Sequence, residues 1–293
     1  MISVLACGRN GSQVAFVVRN AGSDTVVNVA QAWAEEYAKV RPTVSVEVSG
    51  GGTATGFAAL VDGSADLANC SRPATREEIE SARRKRGLTP KEWIVGYDAL
   101  AIYVHRSNPL EEISLDGLAE IYGSNGRMPL WSSLGVRIPG AADEMILISR
   151  QSNSGTHEYF RRAILGPGED LRLGTRDLNG SKEVVTLVAS TPGAIGYSGM
   201  GYATSSVKML RVSKTTGAKA HAPNSANVIA RTYPITRPLF VYTLGDPRGA
   251  TAEYLAWILS PAGQRVVSRS GYVPMGNDGV LGRLRGESRP VEP

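Results

Sequence analysis

Cysteine and histidine are scarce in this 293-residue chain. The two cysteines, Cys7 and Cys70, are too few for a disulfide framework or a zinc site. The three histidines, His105, His157 and His221, stand far apart without ligand spacing, so neither a metal nor another cofactor is expected. No apolar run approaches the ~20 residues of a membrane-spanning helix. Charge of one sign is not in large excess, since 32 Lys and Arg against 27 Asp and Glu leave +5. The one dense basic run, Arg83-Arg84-Lys85-Arg86, follows the acidic stretch "TREEIESA". Acids opening a helix and bases closing it suit the helix dipole. No aromatics interleave the bases, so a nucleic-acid surface is not expected. There is no internal repeat or low-complexity tract, and the 33 glycines follow no fixed period.

The first residues, "MISVLACGRNGSQ", carry a partial signal. Val4-Leu5-Ala6-Cys7 resembles the lipobox of a bacterial lipoprotein, in which Cys7 would bear the lipid. The charged n-region and most of the roughly 7–15-residue apolar stretch of a signal peptide are lacking. Two readings stand: residues 1–13 are a lipoprotein leader cut short, or a frayed terminus with a stray cysteine.

What is present fits a soluble globular chain. Hydrophobic residues make up 42 % and charged residues 20 %, and the length allows two domains with sizeable cores. "VAFVVR" (14–19), "VSVEVS" (44–49), "YDALAIYVHR" (97–106), "EMILISR" (144–150) and "YPITRPLFVYT" (233–243) read as strands. "TVVNVAQAWAEEYAKV" (25–40) reads as a helix, with Val26, Val29, Ala30, Trp33 and Tyr37 on one face. Further helices are expected in "GFAALVDGSA", in "SLDGLAEIYG" behind a Ser114 cap, in "YFRRAIL", in "SKEVVTLVAS", and on either side of Ser260-Pro261. "DLANCS" is expected to run into a loop closed by Arg72-Pro73, and the tail, 281–293, to be disordered. The βαβα order predicts an α/β sheet.

Three places share one pattern of strand, Gly/Ser/Thr cluster and helix. They are "VVRN-AGSDT-VVNVAQ", "VEV-SGGGTAT-GFAAL" and "LISR-QSNSGT-HEYF". Glycine lets the backbone approach a ligand closely. Hydroxyls at a helix start either cap the free amides or turn toward a ligand. Exposed amides at the positive end of a helix make an anion site. A fourth loop, Cys70-Ser71-Arg72-Pro73, adds a hydroxyl and a guanidinium, and Arg150 stands four residues ahead of Ser154. Any one of these is commonly a plain N-cap. Together, beyond the carboxyl ends of the strands of an open sheet, they predict a small-oxyanion site. About four to six hydrogen bonds to charge, at ~1.5–3 kcal/mol each, would supply the ~8 kcal/mol of a micromolar complex.

The same stretches carry a family resemblance. "AGSDTVVNVAQAWAEEY", "SGGGTATGFAALVDGSADLANCSRP", "RQSNSGTHEYF", "TPGAIGYSGMGY", "YPITRPLFVYT" and "LSPAGQRVVSRSGYVPM" resemble the phosphate-binding proteins of bacterial phosphate ABC importers, over roughly residues 15–275. The resemblance implies an α/β, type II periplasmic-binding-protein fold, with two α/β domains joined by a two-segment hinge. The first would comprise 14–103 and 233–280, and the second 104–232, with crossings near Tyr103-Val104-His105 and Arg231-Thr232-Tyr233. It implies phosphate contacts from Ser23, Asp24 and Thr25, from Gly52 and Thr53, from Ser71 and Arg72, and from Arg150, Ser154, Gly155 and Thr156. It also implies a monomer outside the cytoplasm, in the periplasm or lipid-anchored at Cys7, that delivers phosphate to a membrane permease. One departure stands out. Some members carry an aspartate that accepts the proton of phosphate, and this chain has Ser71 there. Asp24 or Glu158 would then serve as acceptor.

Other functions leave alternatives. A site for sulfate, molybdate or tungstate, or a phosphate receptor in signalling, would use the same residues. Enzyme motifs are incomplete. "SGMG" is not Gly-x-Ser-x-Gly, and "KTTG" after Ser205-x-x-Lys208 lacks Lys-Thr-Gly. "GGTATG" lacks the Lys-Ser/Thr of a nucleotide loop. A phosphatase would need a nucleophile or metals, and neither is visible in the sequence.

Overall fold

A computed structural model of the chain describes residues 14–127 and 129–276. Cys7 with the 1–13 leader, and the 281–293 tail, lie outside the described residues. The elements follow in the order β1 (Phe16–Gly22), α1 (Asp24–Val40), β2 (Val44–Ser49), α2 (Thr53–Asp62), β3 (Leu67–Cys70), α3 (Arg76–Arg86) and β4 (Pro90–His105). Then come β5 (Glu112–Ser114), α4 (Leu115–Tyr122), β6 (Ile146–Arg150), α5 (Gly155–Leu165), β7 (Arg176–Leu178), α6 (Ser181–Ser190) and β8 (Ala194–Gly199). The chain closes with β9 (Val207–Met209), β10 (Arg211–Ser213), α7 (Ser225–Ile229), β11 (Thr236–Leu244), α8 (Gly249–Leu259) and α9 (Pro261–Arg269).

Among the described residues, strands run β2-β1-β3-β11-β4-β8-β6-β7 in one hydrogen-bonded path, with β9 also against β4. β4 is the shared member. Its first part, Pro90–Ala99, pairs antiparallel with β11, and Leu100–Val104 pairs antiparallel with β8. The ladder thus changes partner at Ala99/Leu100. This divides the sheet into a first lobe around β1, β2, β3 and β11, and a second lobe around β6, β7 and β8. The second connection between them, just before β11, contains Arg231 at φ 56°, a strained value for a residue with a side chain.

Each lobe is a parallel core with an antiparallel seam, helices lying on both faces. In the first lobe, α1 buries Val26, Val29, Ala30, Trp33 and Tyr37, the face its periodicity predicts. These pack with Tyr254, Leu255, Ile258, Val266 and Val267 of α8 and α9 over Val18, Leu67, Leu239 and Val241. Phe57, Leu60 and Ala82 cover the other face over Ala68, Cys70, Phe240 and Tyr242. Each large apolar side chain removed from water here contributes roughly 1.5–3 kcal/mol.

One local expectation changes, and one strand carries a residue that needs explaining. Leu67–Cys70 is a strand, not the entry to a loop: all four residues are buried and pair with β1 and β11. A strand covered on both faces shows no alternation to read. "YPITRPLFVYT" lies in mid-sheet, with Pro238 inside β11. Pro238 is tolerated there because β3 ends opposite Phe240, so at Pro238 the ladder partner is β4 on one side only. No described helix is long and apolar enough to cross a membrane.

The parallel strands bring their carboxyl ends to one level. β1, β2 and β3 deliver the starts of α1 and α2 and the Ser71 loop, and β6 delivers the start of α5. All the sequence-predicted clusters therefore meet at the cleft between the lobes.

Candidate functional site

The cleft holds a buried cluster of hydroxyls drawn from both lobes. Ser23, Thr25, Thr53, Ser71, Ser154 and Thr156 are all at most 3 % exposed. Thr25 Oγ1 and Thr156 Oγ1 meet across the cleft at 2.7 Å. Ser23 Oγ donates to Ser71 Oγ at 2.8 Å, and the Ser71 amide donates to Thr53 Oγ1 at 3.2 Å. Gly155 closes the cluster from the second lobe. A Cβ there would stand 2.4 Å from Thr53 Oγ1 and 2.7 Å from Ser71 Oγ. Only a bare backbone fits.

The helix starts explain why hydroxyls collect here. α3, α4 and α5 are capped by the side chains of Thr75, Ser114 and Ser154. α1 and α2 begin with no side-chain cap, although Ser23 sits at the cap position of α1. The Ser23 hydroxyl turns to Ser71 instead. Val26 N bonds to the Ser23 carbonyl and Ala54 N to the Asn153 carbonyl, and the first-turn residues Thr25 and Thr53 set the positive ends of both helices at the cluster, the arrangement that favours oxyanions.

Two buried arginines frame the cluster. Arg150, 1 % exposed, donates Nε to Leu178 O, Nη1 to Ser181 Oγ at 2.9 Å, and Nη2 to Asn179 O and to Asp24 Oδ2 at 2.7 Å. Asp24 belongs to the first lobe, so this ion pair spans the cleft; its other oxygen accepts from the Gly51 amide at 3.0 Å. Burial pushes the Arg150 guanidinium down, and Asp24 holds it up. The second arginine, Arg237 of β11, stands directly opposite Asp98 of β4 in the ladder. Arg237 Nε and Nη2 donate to Asp98 Oδ2 at 3.0 and 2.9 Å. Asp98 also accepts from the Met200 amide at 3.1 Å. Burial pushes its carboxyl up, and the guanidinium and that amide pull it back. Each arginine is thus balanced by a carboxylate, and the attraction for an anion rests largely on hydroxyls and helix amides.

The remaining sequence candidates are placed as follows. Gly52, at φ 94°, lets the α2 start lie against Asn153, where a Cβ would come 2.8 Å from the Asn153 carbonyl. The Arg72 guanidinium turns away from the hydroxyls to a two-bond pair with Glu78, both at 2.8 Å, and its stem packs near Gly155. Glu158 is held by Arg161 one turn on, at 3.2 Å. Asp98 and Arg237 were not singled out from the sequence. The available signal was a lone charge inside each of two apolar strands, which demands a buried partner. A hollow of about 720 Å³ opens at the amino end of β6, among Met145, Arg172, Leu173 and Pro192. None of the cleft residues lines it. Among the described residues, no group of three or more His, Cys, Asp or Glu is placed to hold a metal.

Comparison with known proteins gives a consistent set. A model described as a PBP superfamily domain matches residues 8–262. The phosphate-binding protein PstS of Pseudomonas aeruginosa is 35 % identical over 277 residues, 91 % of this chain and 85 % of that one. Protein SphX of Synechococcus elongatus is 33 % identical over 267 residues, 87 % of this chain and 76 % of that one. Among solved structures, one with bound phosphate from Clostridium perfringens superposes with a TM-score of 0.77 at 26 % identity, covering 89 % of this chain and 100 % of that one. An ABC-type phosphate transport receptor from Vibrio cholerae gives 0.67 at 25 % identity, covering 88 % and 99 %.

Proposed function

Because the chain belongs to the PBP superfamily, and within it to the family of the PstS phosphate-binding proteins, we propose that it captures inorganic phosphate outside the cytoplasm and delivers it to an ABC importer. The single observation that carries this reading is the hydroxyl cluster joined across the cleft by Thr25 and Thr156. Hydroxyls from both lobes, uncapped helix starts and a bare glycine backbone are what a small tetrahedral oxyanion requires. Ser23, Thr25, Thr53, Ser71, Ser154, Gly155 and Thr156 form the contact set. Asp24 and Arg150 close it from the rim, Gly52 allows the close approach of α2, and Arg72 supplies wall through its stem.

The mechanism is capture and closure. We place the hinge where β4 changes partner, at Ala99/Leu100, four residues ahead of the 103/104 boundary that the resemblance implies, and again just before β11. Phosphate meets one lobe, and contacts from the other favour the closed state, because the ligand binds that state better. A monomer then docks on the membrane permease, with Cys7 as the anchor if it is lipidated, and no nucleic acid takes part. No chemistry is done on the phosphate. The hydroxyls bond to one another and to Arg237 rather than to a base that would activate them.

The test is calorimetric titration of phosphate-stripped protein with phosphate and then sulfate. Tight phosphate binding with little for sulfate is expected. Sulfate binding as tight as phosphate would overturn the phosphate assignment, since Ser71 does not repel a fully ionised anion as an aspartate would.

A further inference from the structure

Arg237 touches more of the cleft than any residue assigned to it so far. Besides Asp98, its Nη2 donates to Thr25 Oγ1 at 3.2 Å and to Thr156 Oγ1 at 3.1 Å, and its Nη1 donates to the Ser71 carbonyl at 3.2 Å. One guanidinium, 1 % exposed, therefore ties the start of α1, the loop after β3 and the start of α5. Building on the phosphate reading above, we infer that Arg237, held by Asp98, is a positioning residue that fixes Thr25 and Thr156 as hydrogen-bond donors to the bound anion.

A guanidinium has donors and no acceptor. Each threonine oxygen that meets Arg237 therefore meets it as acceptor, and its own hydroxyl proton must point elsewhere. The two hydroxyls hold two protons. One bridges them at 2.7 Å. The other faces away from Arg237, and when an anion separates the pair both protons are free to donate. Without Arg237 either hydroxyl could turn and accept, presenting lone pairs to a negative ligand. The Asp98 carboxylate makes this orientation permanent. It takes two of the guanidinium's N–H groups in a planar fork, leaving the second Nη2 proton aimed between the threonines. It also cancels the charge, so Arg237 acts through direction rather than net attraction. Opposition in the β4–β11 ladder sets the geometry in backbone, beside the hinge.

The test compares wild type, Arg237→Lys, Thr156→Val and the double variant by calorimetric titration with phosphate and by thermal unfolding without it. Lysine keeps the ion pair with Asp98 but loses the fork and the shared N–H. Arg237→Lys is expected to weaken phosphate binding about tenfold, the worth of one charge-assisted hydrogen bond, with its unfolding midpoint unchanged. In the Thr156→Val background the same substitution should cost clearly less, because one of the two hydroxyls it orients is gone. Wild-type affinity in Arg237→Lys, or losses that multiply in full in the double variant, would overturn the inference. If Arg237→Lys does not fold, the charge-balanced variant Arg237→Gln with Asp98→Asn takes its place, with the same expectation and the same refutation. Wild-type titration reads the phosphate assignment separately. A wild type that takes another tetrahedral oxyanion instead removes that assignment, and the variant ratios are then read with that anion.

Discussion

A methyl group at Gly155 separates folding from closure. Gly155 is the first residue of α5, in the second lobe, and the atoms a Cβ would strike, Thr53 Oγ1 at 2.4 Å and Ser71 Oγ at 2.7 Å, belong to the first. Real Cβ contacts essentially never fall below 3.0 Å, so Thr53 would have to retreat past that limit. Overpacking by one methyl costs about 1–3 kcal/mol. In the proposed closure the whole cost falls on the closed state, because an open state would part the two surfaces. Gly155→Ala should therefore bind phosphate about 5- to 150-fold more weakly. Its ligand-free stability should hold or rise, by up to ~1 kcal/mol, since alanine is the better helix former. Calorimetric titration measures the first effect and thermal unfolding the second. Wild-type affinity in Gly155→Ala would refute the closed arrangement of these loops. A fall in ligand-free stability matching the loss of affinity would show that the glycine serves the fold rather than closure.

Three further outcomes follow from particular contacts. Arg150→Ala should abolish most phosphate affinity, because Asp24 is left as an unpaired carboxylate at the cleft, and also lower stability by about 2–4 kcal/mol in denaturant titration, because the Leu178 and Asn179 carbonyls and the Ser181 hydroxyl lose their donor. An unaltered affinity would remove Arg150 from the site. Glu78→Gln breaks the Arg72 pair, whose side chains are 11 % and 16 % exposed, while leaving a residue that still completes the α3 capping box. A loss of about 1–2 kcal/mol in stability is expected, with phosphate affinity unchanged because the Arg72 guanidinium faces away from the hydroxyls. Burial pushes the Tyr197 hydroxyl up to about 12, against an ordinary value of about 10. A folded value above the unfolded one keeps the full contribution below the unfolded value and loses it as pH rises through the folded one. Stability measured by denaturant titration should fall between those two pH values, and Tyr197→Phe should lessen the fall by one group's share, since Tyr103, Tyr122, Tyr233 and Tyr272 are raised by burial too.

Much of the fold could be read where one face met solvent. The α1 stripe and the β2 alternation are half-buried patterns, and the structure reproduces both, β2 over Val44–Ser49 as expected. The cap residues Ser114 and Ser260 mark real helix starts because the signal is local chemistry. β3 escaped because burial on both faces erases periodicity, and a four-residue strand leaves little else. Within the cleft, the structure brings together the three strand-loop-helix clusters and the fourth loop with Ser71, and the spacing alone gave only those clusters. The arginines were not legible in the same sense. Arg150 stood out through its neighbours, but its bonds to Asp24 and to the loop after β7 are tertiary. Arg237 and Asp98 are 139 residues apart in sequence, and only the β4–β11 register makes them one unit.

β4 extends for 16 residues, about 50 Å of continuous strand, and serves both lobes along its length. Both lobes therefore share backbone through one strand as well as through the connection before β11. In the proposed opening, the hinge at Ala99/Leu100 would turn by twisting within one ladder, which would limit its amplitude. The same continuity binds the lobes in their loss of structure. Neither can be excised without cutting a strand from the other's sheet, so heat or denaturant should melt the whole molecule in a single cooperative step.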